Sequence, residues 1–266
     1  MLPYVDAVTV VTPTTLHYVI AKDCLLQGKH VFVEKPLCFD HHQARELVDL
    51  AKGKKLILSV GYVFRFNPLM NRLKELLPEI GDIHYIYGRY IHSTVPPRKD
   101  SGAIFNLAVH LIDFLNALLS DAPQKIYARN SHLISKQNED SSFVTIDYGS
   151  FSAHLEVSCC HPLKKRDMWI IASKEKLYLD FLDQVIERHP LIVDEDKTER
   201  KEAFRDPQVG KNQPLYEELK YFVHLCNKIN MGEEVHSNLS AENLLTTKMC
   251  ILAIRSAQEN EVHLIE

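Results

Sequence analysis

Three short apolar runs constrain this chain more than any other feature: DAVTVV (residues 6–11), HVFV (30–33) and KLILSV (55–60). Each is nearly continuous in apolar residues, which fits strands buried on both faces, as in a parallel sheet. The segments between them read as helices. Residues 15–27 carry Val19, Ile20, Leu25 and Leu26 at roughly helical spacing and end before Gly28, a good C-cap. Residues 40–52 open on Asp40, a good N-cap, and Leu47, Val48 and Leu50 form their apolar side. The pattern β-α-β-α-β is the unit of a doubly wound sheet.

In such sheets ligands gather beyond the carboxyl ends of the strands. Two of those ends are polar here. TPTTLH (12–17) leads into the first helix. Thr12 or Thr14 can cap that helix, and its free N–H groups suit a pyrophosphate or a ribose edge. The same residues also make an ordinary strand-to-helix turn. Glu34-Lys35-Pro36 ends the second run. Alone it is a solvated turn with a surface ion pair; beside TPTTLH on one sheet edge it reads as part of a site. A third signal is SGAIFNLAVHLIDFLNALLS (101–120), apolar enough to be a helix buried nearly all round. Its exceptions are Asn106, His110, Asp113 and Asn116. The first three, at i, i+4 and i+7, share one face of an α-helix. Such a stripe suits an active-site wall, or a helix packed against a polar layer.

TPTTLH, VFVEKPL, SVGYVFRFNP (59–68), SGAIFNLAVHLIDFL and the closing segments 214–233 and 243–261 occur in the order seen in the Gfo/Idh/MocA oxidoreductases, which this chain resembles. The resemblance implies an α/β fold in two parts. Residues 1–64 would form an incomplete Rossmann domain, a doubly wound parallel sheet. Residues 65–266 would form a substrate-binding and oligomerising α/β domain with a large open, mostly antiparallel sheet. Runs at 83–92, 124–132, 142–148, 151–158, 167–172 and 177–181 supply strands, and their imperfect alternation fits a sheet covered on both faces. Residues 195–213, rich in charge, read as a solvated excursion. A complete dinucleotide-binding unit would carry roughly sixty further residues ahead of DAVTVV. None of the nine glycines forms G-x-G-x-x-G. The expectation is a truncated Rossmann unit with an uncovered flank at residues 6–11 and weak affinity for its dinucleotide, NAD or NADP, with NAD favoured.

The implied chemistry is oxidation of a secondary hydroxyl on a sugar or sugar nucleotide. His110 would take the hydroxyl proton, and Lys35 would stabilise negative charge developing on oxygen. Asn106 stands where the family usually has aspartate and would orient His110. Thr12, Pro13, Thr14, His17, Glu34, Lys35 and Pro36 would hold the cofactor. Arg65, Asn67, Arg98, Asp113 and Tyr216 would hold substrate. PPRKDSGAIFNLAVHLID (96–113) is similar to the branch that oxidises UDP-N-acetylglucosamine-type substrates at the 3-hydroxyl. Alternatives are an inositol or polyol dehydrogenase, or a non-catalytic sugar-binding, oligomer-forming remnant. The expected partners are the sugar substrate and further copies of the chain, a homodimer or homotetramer through the second sheet. A net charge of −4 argues against nucleic acid as a partner. No apolar run reaches the roughly 18 residues of a membrane span. The six cysteines follow no ligand or disulfide spacing and read as reduced thiols of a cytoplasmic protein. The 14 histidines show no H-x-x-x-H or H-E-x-x-H, so no metal is expected.

Overall fold

A computed structural model describes residues 2–93, 100–193, 199–200, 202–235 and 239–265. The three apolar runs form a parallel sheet of β1 (Ala7–Val10), β2 (His30–Val33) and β3 (Leu58–Val60), in that order. Val10, Val33 and Val60 stand side by side at the carboxyl ends. The crossovers are α1 (His17–Leu26) and α2 (His41–Gly53). Asp40 Oδ1 accepts the Gln43 N–H at 2.9 Å and caps α2. Gly28, at φ +75°, takes the left-handed turn that follows α1. Neither Thr12 nor Thr14 caps α1. A 3-10 turn, Thr14–Leu16, precedes it, and the Thr14 hydroxyl is drawn instead to Asp100.

The second sheet has nine strands, ordered β13-β10-β9-β8-β4-β7-β6-β5-β14. In chain order they are β4 (Ile83–Ser93), β5 (Lys125–Ser131), β6 (Ser141–Asp147), β7 (Ser152–Ser158), β8 (Cys160–Ala172), β9 (Glu175–Asp180), β10 (Val185–Pro190), β13 (Phe204–Arg205) and β14 (His263–Leu264). β11 (Ile192–Val193) and β12 (Glu199–Arg200) form a separate short ribbon. Every pair in the large sheet is antiparallel except β4 with β7. The helices are α3 (Leu69–Leu76), α4 (Val109–Leu118), α5 (Pro214–Asn230) and α6 (Leu239–Glu259).

Burial along β9 alternates strictly, and β6 and β7 nearly so. The sheet is therefore packed on one face and open on the other, not covered on both. The reason is that α4 and α6 lie on the same face. Tyr85 and Phe143, 44% and 60% exposed, lie on the uncovered side. VIERHP forms β10 although it lacks an apolar run, because Arg188 closes on Glu175 of β9 through two bonds of 2.7 and 2.8 Å. Most described residues of the expected solvated excursion 195–213 are exposed; the exception is Asp206, buried against Arg72 and Arg188 beside the short pairing of β13 with β10.

One continuous hydrophobic core runs from Val33 and Leu37 through Phe64 to Leu111 and Leu155. The division at residues 64/65 thus falls inside a 3-10 turn, Val63–Phe66, whose Val63 and Phe64 side chains belong to that core. α5 turns away from the large sheet and packs Phe222, Leu225 and Cys226 on Phe32 and Ile57 of the small one.

Candidate active site

The site is assembled where the carboxyl edge of the small sheet meets the start of α4. β2 ends at Val33; the Glu34 N–H still donates to Val10 O at 2.9 Å, and Lys35 and Pro36 then leave the sheet edge. Glu34 accepts the Lys35 N–H at 3.1 Å, and the Lys35–Pro36 peptide is cis. His17, buried at the head of α1, ties two strand ends together: Nδ1 stands 2.8 Å from Pro36 O and Nε2 2.9 Å from Thr12 O. Of the residues expected to meet cofactor, His17 and Pro36 therefore form the bracing layer. Thr12, Pro13 and Thr14 form the rim above it.

Two observations show that this rim suits a polar ligand. Thr12 Oγ1 is shielded from water yet has no hydrogen-bond partner. The Thr14 N–H and hydroxyl both point at one carboxylate oxygen of Asp100, at 3.5 and 3.3 Å. One acidic oxygen thus meets both Thr14 donors. The residues present fit the ribose end of a dinucleotide. No glycine-rich turn occurs among them for its pyrophosphate.

Lys35 reaches across to the helix. Its Nζ donates to Asn106 O at 2.6 Å and to Asn106 Oδ1 at 3.1 Å. The Asn106 side chain forms no hydrogen bond with His110 among the described residues; its amide nitrogen points at Cys159 Sγ, 3.8 Å away. The backbone explains the difference. Residues Ile104–Ala108 form a π turn, and only from Val109 onward is the helix α. A π turn holds an extra residue, so positions before it are rotated from where a 3.6-residue period puts them. The stripe read as one face is divided three ways. Asn106 serves Lys35. His110 faces an aromatic wall, 5.1 Å from the Phe64 ring and 5.7 Å from the Tyr90 ring. Asp113 and Asn116 turn toward α6, where Thr246 donates to Asp113 at 3.2 Å and accepts from Asn116 at 3.1 Å.

His110 is nearly buried and its Nδ1 has no hydrogen-bond partner. Burial first, then the positive charges of Lys35 and Arg166, push its pKa well below the usual 6.5. The ring is therefore neutral at pH 7, the state in which an imidazole accepts a proton.

The residues expected to hold substrate scatter. Arg65 grips Asp113 through Nε, at 2.7 Å, and Nη2, and its guanidinium lies 5.4 Å from the Tyr62 ring. Asp113 is wholly buried. Asn67 is buried as well; it donates to Phe181 O and accepts the Leu69 N–H at the start of α3. Arg65 and Asn67 border a cleft of about 550 Å³ with Asn71, Lys74 and Tyr221. Tyr216 lines a neighbouring hollow with Asn212 and Leu219. Arg98 lies outside the described residues.

Sequence reasoning missed the groups that surround His110. Phe64, Tyr90 and Phe181 stack in sequence, with centroids 5.8 Å apart for Phe64–Tyr90 and 4.7 Å for Phe64–Phe181. Glu139 accepts the Ile104 N–H at 2.9 Å and anchors the start of the π turn. Gly102 makes room for it: a Cβ there would lie 2.1 Å from the Glu139 carboxylate. The SGA motif carried that signal, because a residue without a side chain ahead of a buried helix marks a close approach.

Comparison with known proteins agrees with this architecture. Residues 1–62 match the model of the oxidoreductase family with an NAD-binding Rossmann fold, and residues 70–178 match the GFO/IDH/MocA C-terminal domain. The chain is 26% identical over 187 residues to a UDP-N-acetylglucosamine 3-dehydrogenase of Acidithiobacillus ferrooxidans, covering 70% of this chain and 59% of that protein. It is 29% identical over 160 residues to an inositol 2-dehydrogenase of Rhizobium meliloti, covering 58% of this chain and 47% of the relative. It thus spans less than two thirds of either curated relative. Among solved structures, UDP-N-acetylglucosamine 3-dehydrogenase GnnA from Acidithiobacillus ferrooxidans superposes with a TM-score of 0.81 at 22% identity, over 97% of this chain and 80% of that one. A levoglucosan dehydrogenase in complex with NADH and levoglucosan superposes at 0.83 with 18% identity, over 99% and 80%. At those identities the superpositions establish the fold. With both halves of the architecture matched in order, the chain belongs to the Gfo/Idh/MocA family of oxidoreductases.

Proposed function

We propose that this chain provides the catalytic and sugar-binding part of an NAD(P)-dependent dehydrogenase that oxidises a secondary hydroxyl of a sugar or sugar nucleotide, with UDP-N-acetylglucosamine and its 3-hydroxyl as the first substrate to test. The observation that carries the reading is Lys35. Its ammonium leaves the small sheet, bonds the turn that leads to His110, and depresses that ring's pKa. When bound, the nicotinamide supplies the hydride acceptor. The chain's residues do the rest. Neutral His110 accepts the hydroxyl proton. Lys35 stabilises the negative charge that gathers on oxygen as the proton leaves. Phe64 and Tyr90 keep water from the ring, which sharpens both effects. Thr12 and Thr14 hold the ribose end, and His17 fixes the spacing of the two strand ends beneath it.

The test is turnover with UDP-N-acetylglucosamine, followed as NADH formation. Lys35→Met and His110→Ala should each lose most of kcat, by roughly 10²–10⁴-fold for a proton-transfer group. The acid limb of the wild-type pH profile should lie below the ordinary histidine value of 6.5, because His110 keeps its base form to lower pH. Full activity in both variants would refute the roles. A polyol substrate is the second reading, supported by the likeness to inositol 2-dehydrogenase; a parallel assay with myo-inositol separates the two. The open face of the large sheet, with Tyr85 and Phe143 exposed, is proposed as the contact that builds a homodimer or homotetramer.

A further inference from the structure

Arg166 lies near the proposed catalytic pair and has no part in the mechanism. It lies on β8 directly opposite Tyr90 of β4, with its guanidinium carbon 4.5 Å over the Tyr90 ring. The other side of the relation is His110, 5.7 Å from that same ring. The cation and the imidazole therefore share one aromatic neighbour.

What distinguishes Arg166 is its lack of a counter-charge. Arg65, Arg72, Arg89 and Arg188 are all partly buried, and each closes on a carboxylate: Asp113, Asp206, Asp167 and Glu175 respectively. Arg166 forms no ion pair among the described residues, and its Nε is sealed from water with no hydrogen-bond partner. Arg166 is half-buried, and its other guanidinium nitrogens stay open to solvent or to an anion. The neighbours are cations: Lys35 and Lys164 join Arg166 in acting on His92. The fork of a guanidinium matches a carboxylate or phosphate through paired bonds. A ring carboxylate or an anomeric phosphate would put its charge about one sugar ring from a hydroxyl facing His110.

We infer that Arg166 anchors a negatively charged substituent carried by the sugar ring itself, so that the enzyme selects acidic or phosphorylated sugars over neutral ones. The inference rests on the assignment of Lys35 and His110 to a sugar-oxidising site. Its test is calorimetric binding to the 266-residue chain, which does not depend on turnover. The ligands are N-acetylglucosamine, N-acetylglucosamine 1-phosphate, UDP-N-acetylglucosamine and glucuronate. At least one charged ligand should bind about tenfold or more tightly than neutral N-acetylglucosamine, as a charge-assisted pair requires. Arg166→Gln should bring that preference toward unity, and Arg166→Lys should restore part of it. The phosphate and glucuronate arms decide which anion is meant. Equal binding of charged and neutral sugars, a preference unchanged in Arg166→Gln, or no binding of any charged sugar would each overturn the inference. Those results would leave the dehydrogenase reading intact if Lys35 and His110 remained essential for oxidising a neutral sugar. Conversely, Arg166-dependent binding together with full activity in Lys35→Met and His110→Ala would uphold the anion site and refute the roles assigned to that pair.

Discussion

At the scale of single residues, the buried charges around Arg65 set the most testable balance. Glu218 of α5 is 1% exposed, and neither carboxylate oxygen has a hydrogen-bond partner. Burial, then the nearby charges of Glu34 and Asp113, push its pKa up to about 8, against a partial opposing pull from Arg65. The folded chain therefore keeps a proton that the unfolded chain releases near pH 4.5. Stability from this group is complete below that pH and is lost as the pH rises toward 8. Glu218→Gln mimics the neutral acid and should escape the loss. We expect little difference from wild type near pH 4.5, and an advantage on the order of several kcal/mol at pH 8. Urea denaturation at both pH values checks this; parallel curves would show Glu218 ionised and satisfied. Asn106 belongs to the same scale. An aspartate there would meet the Lys35 ammonium rather than His110, so the family's usual residue would act on the lysine in this geometry.

Among elements, the helix that carries His110 depends on what holds its first turn. Gly102→Ala drives a Cβ into the Glu139 carboxylate and should release the Ile104 N–H that Glu139 binds. Overpacking of this kind costs about 1–3 kcal/mol, so the melting temperature should fall and kcat with it, while Gly53→Ala, with nothing within 4 Å, should leave both unchanged. Identical behaviour of the two variants would remove Glu139 from the argument. The same helix shows how far sequence reading reaches. The parallel strands were legible because buried strands are apolar throughout, and Asp40 and Gly28 marked helix ends by their own chemistry. Lys35 was legible because charge ended an apolar run. The partition of Asn106, His110 and Asp113 was not, since a π turn has no residue signature and an i, i+4, i+7 spacing assumes its absence. Arg166 was hidden for another reason. In CHPLKKRDMW (160–169) a run of basic residues reads as a solvated face, and only the register with β4 shows that one of them lies over Tyr90.

For the molecule as a whole, the two sheets behave as one packed body. α5 carries Phe222 onto Phe32, ring centroids 5.6 Å apart, while α6 touches both β3 and β5. Phe222→Ala should cost about 3–5 kcal/mol, as for other large aromatic truncations in a core, and calorimetry should still show one transition. Two resolved transitions would mean that the sheets fold independently. Val33 and Phe64 belong to the same packed core as Leu111 and Leu155, so among the described residues the two halves share one interior. Many enzymes admit and release their ligands by swinging two lobes apart. Here that route would require breaking the interior, so traffic to and from His110 must proceed past a stationary frame.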